Sequence, residues 1–189
     1  MNTPSNPVIT RPNRKQFRAI TRKANNSQAP VDFYNLGCCY NYGWGTHPDF
    51  EKAAACYDKA VAAGIGAAEN NLGLLYLGGQ GVQQDTLKAM ALFKKAADKG
   101  VTEAMLSLST IFLLERYPEI PRNEEVGRSW LLKAAEAGHP SAMNNLGVAY
   151  AVGACGVSQD KDQAISWLKK AVERGHDTTP QALLELLLS

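Results

Sequence analysis

The chain has 189 residues, of which 45% are hydrophobic and 20% charged, and its formal net charge is +2. This is the composition of a soluble, folded protein. No stretch approaches the roughly 18 apolar residues of a membrane span, and the N-terminus lacks the apolar segment of a secretory signal. These features argue against a membrane or secreted protein, and we expect a cytoplasmic one.

The N-terminal segment, residues 1–29, is basic. The first 30 residues contain neither Asp nor Glu, which leaves 14 basic and 18 acidic residues in the rest of the chain. Because it has no apolar period and contains three prolines, this segment is predicted to be a flexible arm. A short basic helix from Arg14 to Lys23, with Phe17 and Ile20 on one side, is the alternative. The basic side chains of the arm are Arg11, Arg14, Lys15, Arg18, Arg22 and Lys23.

Such an arm has more than one interpretation. It is suited to docking on an acidic partner or on nucleic acid, and binding of the latter weakens steeply as salt rises. An arginine-rich, acid-poor N-terminus is also typical of a mitochondrial transit peptide.

From residue 30 onward, one unit of 36 to 38 residues recurs four times. A Leu-Gly pair marks the same point of three units, at Leu36, Leu72 and Leu146, and Leu108-Ser109 marks it in the remaining unit. Each unit closes with Lys-Ala and a glycine four residues after that alanine. These endings are Lys59-Ala60 with Gly64, Lys95-Ala96 with Gly100, Lys133-Ala134 with Gly138, and Lys170-Ala171 with Gly175.

Each unit reads as two helices joined by a turn, and the second unit shows the pattern best. Helical spacing places Ala68, Leu72, Leu75 and Tyr76 on one apolar stripe. Glycines at 78, 79 and 81 then end the helix, and Asp85 is a predicted N-cap for the next one. In all four units the predicted caps are Asp49, Asp85, Asn123 and Asp160.

Small and bulky residues follow each cap in a fixed order. The small positions, four residues after the cap, are Ala53, Ala89, Gly127 and Ala164, which allow two backbones to approach closely. The bulky positions are Cys56-Tyr57, Leu92-Phe93, Trp130-Leu131 and Trp167-Leu168. No single unit buries its apolar stripe alone, so the units are expected to stack.

These residues resemble the Sel-one-like repeat (SLR), a branch of the tetratricopeptide-like α-solenoids. The resemblance rests on the run from Ala68 through Leu-Gly to Tyr76, on Leu-Gly-Gly-Gln-Gly-Val ending at Val82, and on the Asp85 and Gly100 positions. It covers roughly residues 30–175. The first turn departs from the pattern at residues 46–48, the third lacks its glycines at residues 115–122, and the fourth has one extra residue, Cys155.

The resemblance implies an all-α, right-handed solenoid of about four helix-turn-helix repeats, at 30–64, 65–100, 101–138 and 139–175. Residues 176–189 are apolar on nearly every side and are predicted to form a C-terminal helix. That helix either packs under the last repeat or contacts a partner or another copy of the chain.

In such a solenoid the first helix of each pair faces a concave binding surface. Transferring the family positions to this sequence gives a mostly apolar groove with a few amides. The predicted groove residues are Tyr34, Cys38, Asn41, Tyr42, Asn70, Leu74, Leu77, Leu106, Thr110, Leu113, Asn144 and Val148. The alternative for any of these leucines is that it belongs to the core between repeats.

No catalytic pattern, cofactor motif or metal site is predicted. His47 and Asp49 form at most half of a metal site, and the four cysteines have no zinc-binding spacing. His139 and His176 each follow a glycine that ends a unit, and are predicted to be turn residues. The sequence therefore predicts a protein without enzyme activity.

The expected function is a scaffold or adaptor that binds a segment of a partner protein in the groove. The resemblance points to bacterial secretion, signalling or toxin-neutralising (immunity) settings. The alternative is a protein that docks on nucleic acid or an anionic surface through the basic arm. Self-association through the C-terminal helix is left open.

Overall fold

The computed structural model describes residues 11–175 and 178–188, and all regular structure in these residues is α-helical. This confirms the predicted fold class. The chain divides into two compact units, residues 1–89 and 90–189. No helix among the described residues is long and apolar enough to cross a membrane. The helices are α1 (Arg14–Ser27), α2 (Pro30–Tyr42), α3 (Phe50–Ala62), α4 (Gly66–Gly78), α5 (Thr86–Asp98), α6 (Thr102–Leu113), α7 (Glu124–Glu136), α8 (Pro140–Val152), α9 (Lys161–Glu173) and α10 (Thr178–Leu188).

The predicted N-caps begin the second helix of every repeat. The side chains of Asp49, Asn123 and Asp160 each accept a hydrogen bond from the backbone N–H three residues later. The Oδ1 atom of Asp85 accepts from the N–H of Lys88 at 2.8 Å in the same way. Each cap satisfies a backbone donor that the helix itself leaves unpaired, which fixes where the helix starts.

A backbone hydrogen bond closes each turn between the paired helices. In every repeat the N–H of the cap residue donates to the carbonyl of an aromatic residue near the end of the preceding helix. The four acceptors are Tyr40, Tyr76, Phe112 and Tyr150, each at 2.9 Å. Because 9 to 11 residues separate donor and acceptor, turns of different length close in the same way.

The third turn keeps this closure without its glycines. The side chain of Ile120 is buried and fills the turn. The backbone N–H of Ile120 donates to the carbonyl of Tyr117 at 2.9 Å. An apolar side chain therefore organises this turn, where left-handed glycines organise the others.

The repeated Leu-Gly pair allows the two helices of a repeat to pack closely. A Cβ atom on Gly37 would lie 2.6 Å from the ring of the buried Tyr57, and one on Gly147 would lie 2.8 Å from Leu168. In the third repeat Ser109 replaces this glycine, and Gly127 takes the small position of the partner helix, in contact with Leu113. Six of the eight bulky residues are buried, whereas Trp130 and Trp167 are half-buried.

Helix α1 corrects the prediction of a flexible arm. The Asn13 side chain accepts hydrogen bonds at the start of the helix, and the Gln16 side chain accepts one from the N–H of Asn13. Phe17, Ile20 and Ala24 pack into a cluster with residues of α2 and α3. Residues 14–27 are therefore an ordered part of the first unit, as in the alternative of a basic helix, and residues 1–10 lie outside the described residues.

A 36-residue offset relates α1 to α3. Asn13 takes the place of the cap Asp49, and Gln28, with a φ of 51°, takes the place of Gly64, with a φ of 79°. The apolar positions correspond in the pairs Phe17 and Ala53, Ile20 and Cys56, and Ala24 and Ala60. Helix α1 thus has the place of the second helix of a preceding repeat.

Buried charge also joins α1 to α2. The carboxylate of Asp32 is almost fully buried, and it lies 2.8 Å from the Lys23 ammonium and accepts from the Ser27 hydroxyl at 2.6 Å. Lys23, followed by Ser27, holds the pKa of Asp32 below its ordinary value.

At the other end, α10 packs against α9, with Pro180 and Leu184 buried. This accounts for part of the apolar C-terminus, while Leu188 is exposed. His176, predicted to be a turn residue, lies outside the described residues.

Candidate partner-binding cleft

A cleft of about 500 Å³ lies in the second unit, and it brings together four of the predicted groove residues. Leu106, Thr110 and Leu113 follow one another at i, i+4 and i+7 along α6, and Val148 faces them from α8. Helical geometry places residues at this spacing on one face. The full lining is Leu106, Ser109, Thr110, Leu113, Leu114, Arg122, Leu131, Asn145, Val148, Ala149, Ala154 and Cys155.

The unusual third turn supplies one edge of this cleft. Where three other repeats have a left-handed glycine, Leu114 has an extended backbone with φ of −102° and ψ of 131°. Its side chain is 48% exposed. Arg122 stands beside it and forms ion pairs with Glu115 and Glu124. The turn thus presents a large apolar side chain next to a guanidinium whose charge is already balanced.

The fourth turn also lines the cleft, through Ala154 and Cys155. Its extra residue, Cys155, adopts a left-handed φ of 56°. Arg128 of α7 donates from Nη1 to the carbonyls of Cys155 and Gly156, at 3.1 and 2.5 Å. These bonds hold the backbone of the turn against α7. Partial burial raises the pKa of the Cys155 thiol, so the uncharged form is favoured at neutral pH.

Thr110 and Asn145 place exposed, uncharged polar groups in the lining. The Thr110 hydroxyl donates to the carbonyl of Leu106 at 3.0 Å, which leaves its oxygen able to accept from a ligand. The exposed side chain of Asn145 accepts from Asn144 at 3.5 Å, which leaves its own amide able to donate. This combination suits a peptide: apolar side chains fill the cleft while backbone groups pair with Thr110 and Asn145.

Comparison with known protein families finds four consecutive copies of the Sel1 repeat, at residues 34–65, 66–101, 102–139 and 140–176. The chain belongs to the Sel1 repeat family. The second, third and fourth matched segments each begin one residue after the corresponding unit read from the sequence, and the first begins at residue 34 rather than 30.

Solved structures share this fold. A Sel1 repeat protein from Oxalobacter formigenes has a TM-score of 0.76 and 24% identity, over 91% of this chain and 74% of that chain. The antigen c5321 of uropathogenic Escherichia coli, described as having an SLR fold, has a TM-score of 0.74 and 29% identity, over 92% of this chain and 36% of that one. Immunity protein Pa5087 from Pseudomonas aeruginosa has a TM-score of 0.57 and 19% identity, over 88% and 72%. No curated protein matches the sequence.

Three predicted groove residues of this Sel1 repeat protein are buried. Asn144 is 9% exposed, and Asn145, the next residue along α8, lines the cleft. Asn70 is 6% exposed, and Cys38 is 2% exposed with its sulfur 3.7 Å from the Tyr57 hydroxyl. Their side chains belong to the packing of the repeats, which corrects their assignment to an open groove.

The remaining predicted residues belong to the Sel1 repeats of the first unit. Tyr34, Asn41 and Leu77 are half-buried, whereas Tyr42 and Leu74 are exposed. The Tyr42 ring stacks on Trp44, with 4.8 Å between the ring centroids. Trp44 was not predicted, because it lies in the turn rather than on the helical stripe.

The described part of the Sel1 repeats contains no group of three or more His, Cys, Asp and Glu side chains that could hold a metal ion. Asp49, considered with His47 as half of a metal site, is the N-cap of α3. His139 caps α8, since its Nδ1 accepts from the N–H of Ala142 at 3.3 Å. All four cysteines are free thiols.

Proposed function

We propose that this Sel1 repeat protein is a scaffold or adaptor that binds a segment of a partner protein in the cleft between α6 and α8. Sel1 repeats generally mediate protein–protein interaction, and the cleft is the observation that carries the proposal for this chain. Its apolar side chains remain open to solvent at the surface of the second unit, and an exposed apolar patch of this kind is typical of an interaction site.

The lining defines the chemistry of the segment. A volume of about 500 Å³ accommodates one or two large apolar side chains, and Leu114 and Val148 contact them from opposite sides. The Asn145 amide donates to a carbonyl of the bound backbone, and Thr110 accepts from an N–H. Since the charge of Arg122 is balanced by two glutamates, a strongly acidic segment is not favoured here.

The proposal also includes the cellular setting in which the partner acts. Secretion, signalling and toxin neutralisation are the settings that the repeat architecture favours. The likeness to Pa5087 supports a common fold, and toxin neutralisation is included because that protein is an immunity protein.

The experiment is a selection of peptides from a random displayed library on the purified chain. The selected peptides are then measured against a cleft variant, Thr110→Arg with Leu114→Glu, by fluorescence anisotropy. Both positions are exposed, so the fold is expected to survive. The matched control is Leu132→Glu, which places the same charge on another exposed leucine of the second unit, outside the cleft.

The expected peptides contain large apolar residues, lose affinity at least tenfold for the cleft variant, and keep it for Leu132→Glu. Equal binding to the intact chain and the cleft variant would contradict the proposal. So would a selection that yields no apolar peptide. Circular dichroism confirms that all three proteins have equal helicity.

A further inference from the structure

Helix α1 presents a continuous basic face. Arg14, Arg18 and Arg22 follow one another at i, i+4 and i+8 and form a row, with Lys15 beside it. All four side chains are exposed, and the opposite side of the helix packs into the first unit. The row rises about 12 Å along the helix axis.

This arrangement opposes helix stability. Cations at i and i+4 repel one another, and Arg14 and Lys15 stand in the first turn, where the helix dipole favours anions. The helix contains no acidic residue. Among the described residues, Arg14, Arg18 and Arg22 form no ion pair. An ordinary solvated face mixes both signs of charge, so a role in binding accounts better for this face.

The basic face also borders a concavity. Arg14, Phe17 and Arg18 of α1 form one side of a pocket of about 500 Å³. The first turn forms the other side, with the exposed imidazole of His47 and the side chain of Thr46. The guanidinium groups of Arg14 and Arg18 and the hydroxyl group of Thr46 therefore line one pocket. None of the described residues that line it is acidic.

We propose that the α1 arginine face is a second docking surface, and that its partner is an acidic segment of a protein. Guanidinium groups match carboxylates in two-point geometry. The row has the length of about three to four residues of extended chain, which suits two or three carboxylates. A nucleic acid duplex is disfavoured because the chain beyond residue 30 has 18 acidic and 14 basic residues, and would repel a long polyanion. This surface belongs to the first unit, and the cleft described above belongs to the second.

The experiment uses the full chain and a labelled synthetic peptide that alternates glutamate and serine. Binding is measured by anisotropy at about 20 and about 200 mM salt, the range over which charge screening grows. The test variant is Arg14→Gln with Arg18→Gln and Arg22→Gln. The matched control, Lys94→Gln with Arg116→Gln and Lys169→Gln, removes three exposed charges elsewhere. A short duplex and phosphatidylserine vesicles are measured in parallel.

The expected result is a loss of about tenfold in peptide affinity for the test variant, as three exposed charge pairs would give. The control stays within about twofold, and salt weakens the intact chain most. Equal peptide binding by the two variants would overturn the proposal. If the arginines affect only the duplex or only the vesicles, the partner is a nucleic acid or a membrane, and the proposal of an acidic protein segment is likewise overturned.

Discussion

Replacing Gly37 by alanine tests the close packing between the two helices of the first repeat. The added Cβ would lie 2.6 and 2.7 Å from two ring carbons of Tyr57 and 3.3 Å from Cβ of Cys56, whereas favourable carbon contacts are about 3.5–4.0 Å. The ring is fully buried, and its hydroxyl accepts from Asn71 at 3.3 Å, so it has little room to move. Overpacking of this kind costs about 1–3 kcal/mol, and the better helix propensity of alanine offsets up to about 1 kcal/mol.

We therefore expect Gly37→Ala to lower the free energy of unfolding by about 1–2 kcal/mol, which moves a urea midpoint down by about 0.5–1 M. The matched control is Gly78→Ala at the end of α4, where the nearest atom to an added Cβ is a flexible side-chain carbon of Gln80 at 3.5 Å. This control should be as stable as the original chain or slightly more so. Unfolding in urea is monitored by circular dichroism and by tyrosine and tryptophan fluorescence. Equal midpoints for the two variants would refute the packing argument.

Three further predictions concern the Asp32 ion pair, the third turn and the reactivity of the cysteines. Asp32→Asn should destabilise α1 docking. The hydrogen bonds from Lys23 and Ser27 lower the pKa of Asp32 below its ordinary value of 3.8. The stabilisation is therefore present above that value and is lost as the pH falls through the lowered pKa. The difference between Asp32→Asn and the original chain in thermal melts should therefore shrink below about pH 4, and a constant difference would count against the ion pair. Ile120→Ala should lower the free energy of unfolding, measured in urea, by about 2–4 kcal/mol, since the Ile120 side chain is buried. A loss below about 0.5 kcal/mol would mean that the third turn does not depend on this side chain. In the folded chain a thiol reagent should modify Cys155 first, because the other three cysteines are buried; rapid reaction of several thiols, or an unchanged rapid phase in Cys155→Ser, would contradict the burial.

The repeat could be predicted from the sequence because its signals are local. An N-cap such as Asp160 acts on a backbone group three residues away, and the bulky Leu168 meets the glycine of the same helix pair. Each of these contacts recurs at a fixed spacing, so the sequence alone contains the period. The Sel1 repeats at the matched positions confirm it.

Helix α1 was misjudged because its residues differ in type from those of the repeats. Phe17 replaces a small residue, and Gln28 replaces the glycine at the left-handed position. The signal that could have found it is Lys23-Ala24, which stands 36 residues before Lys59-Ala60. With that offset, Asn13 falls on the cap position and the helix follows.

The cleft was predicted only in part. Helical spacing places Leu106, Thr110 and Leu113 on one face, but it does not fix how that face is rotated relative to α8. A shift of one residue rotates the direction of a side chain by about 100°, so Asn144 is buried while Asn145 lines the cleft. The contribution of Leu114 depends on the irregular third turn, whose backbone no repeat pattern specifies.

The site at which a partner segment binds is the most direct test of the proposed cleft. An apolar peptide from the displayed library is titrated into the chain with labelled leucine and valine methyl groups, and methyl resonances are followed by NMR. We expect the largest shifts at Leu106, Leu113, Leu114 and Val148, while the buried Leu72 and Leu75 of the first unit are unaffected. Saturable binding with shifts that avoid those four residues would contradict the proposal.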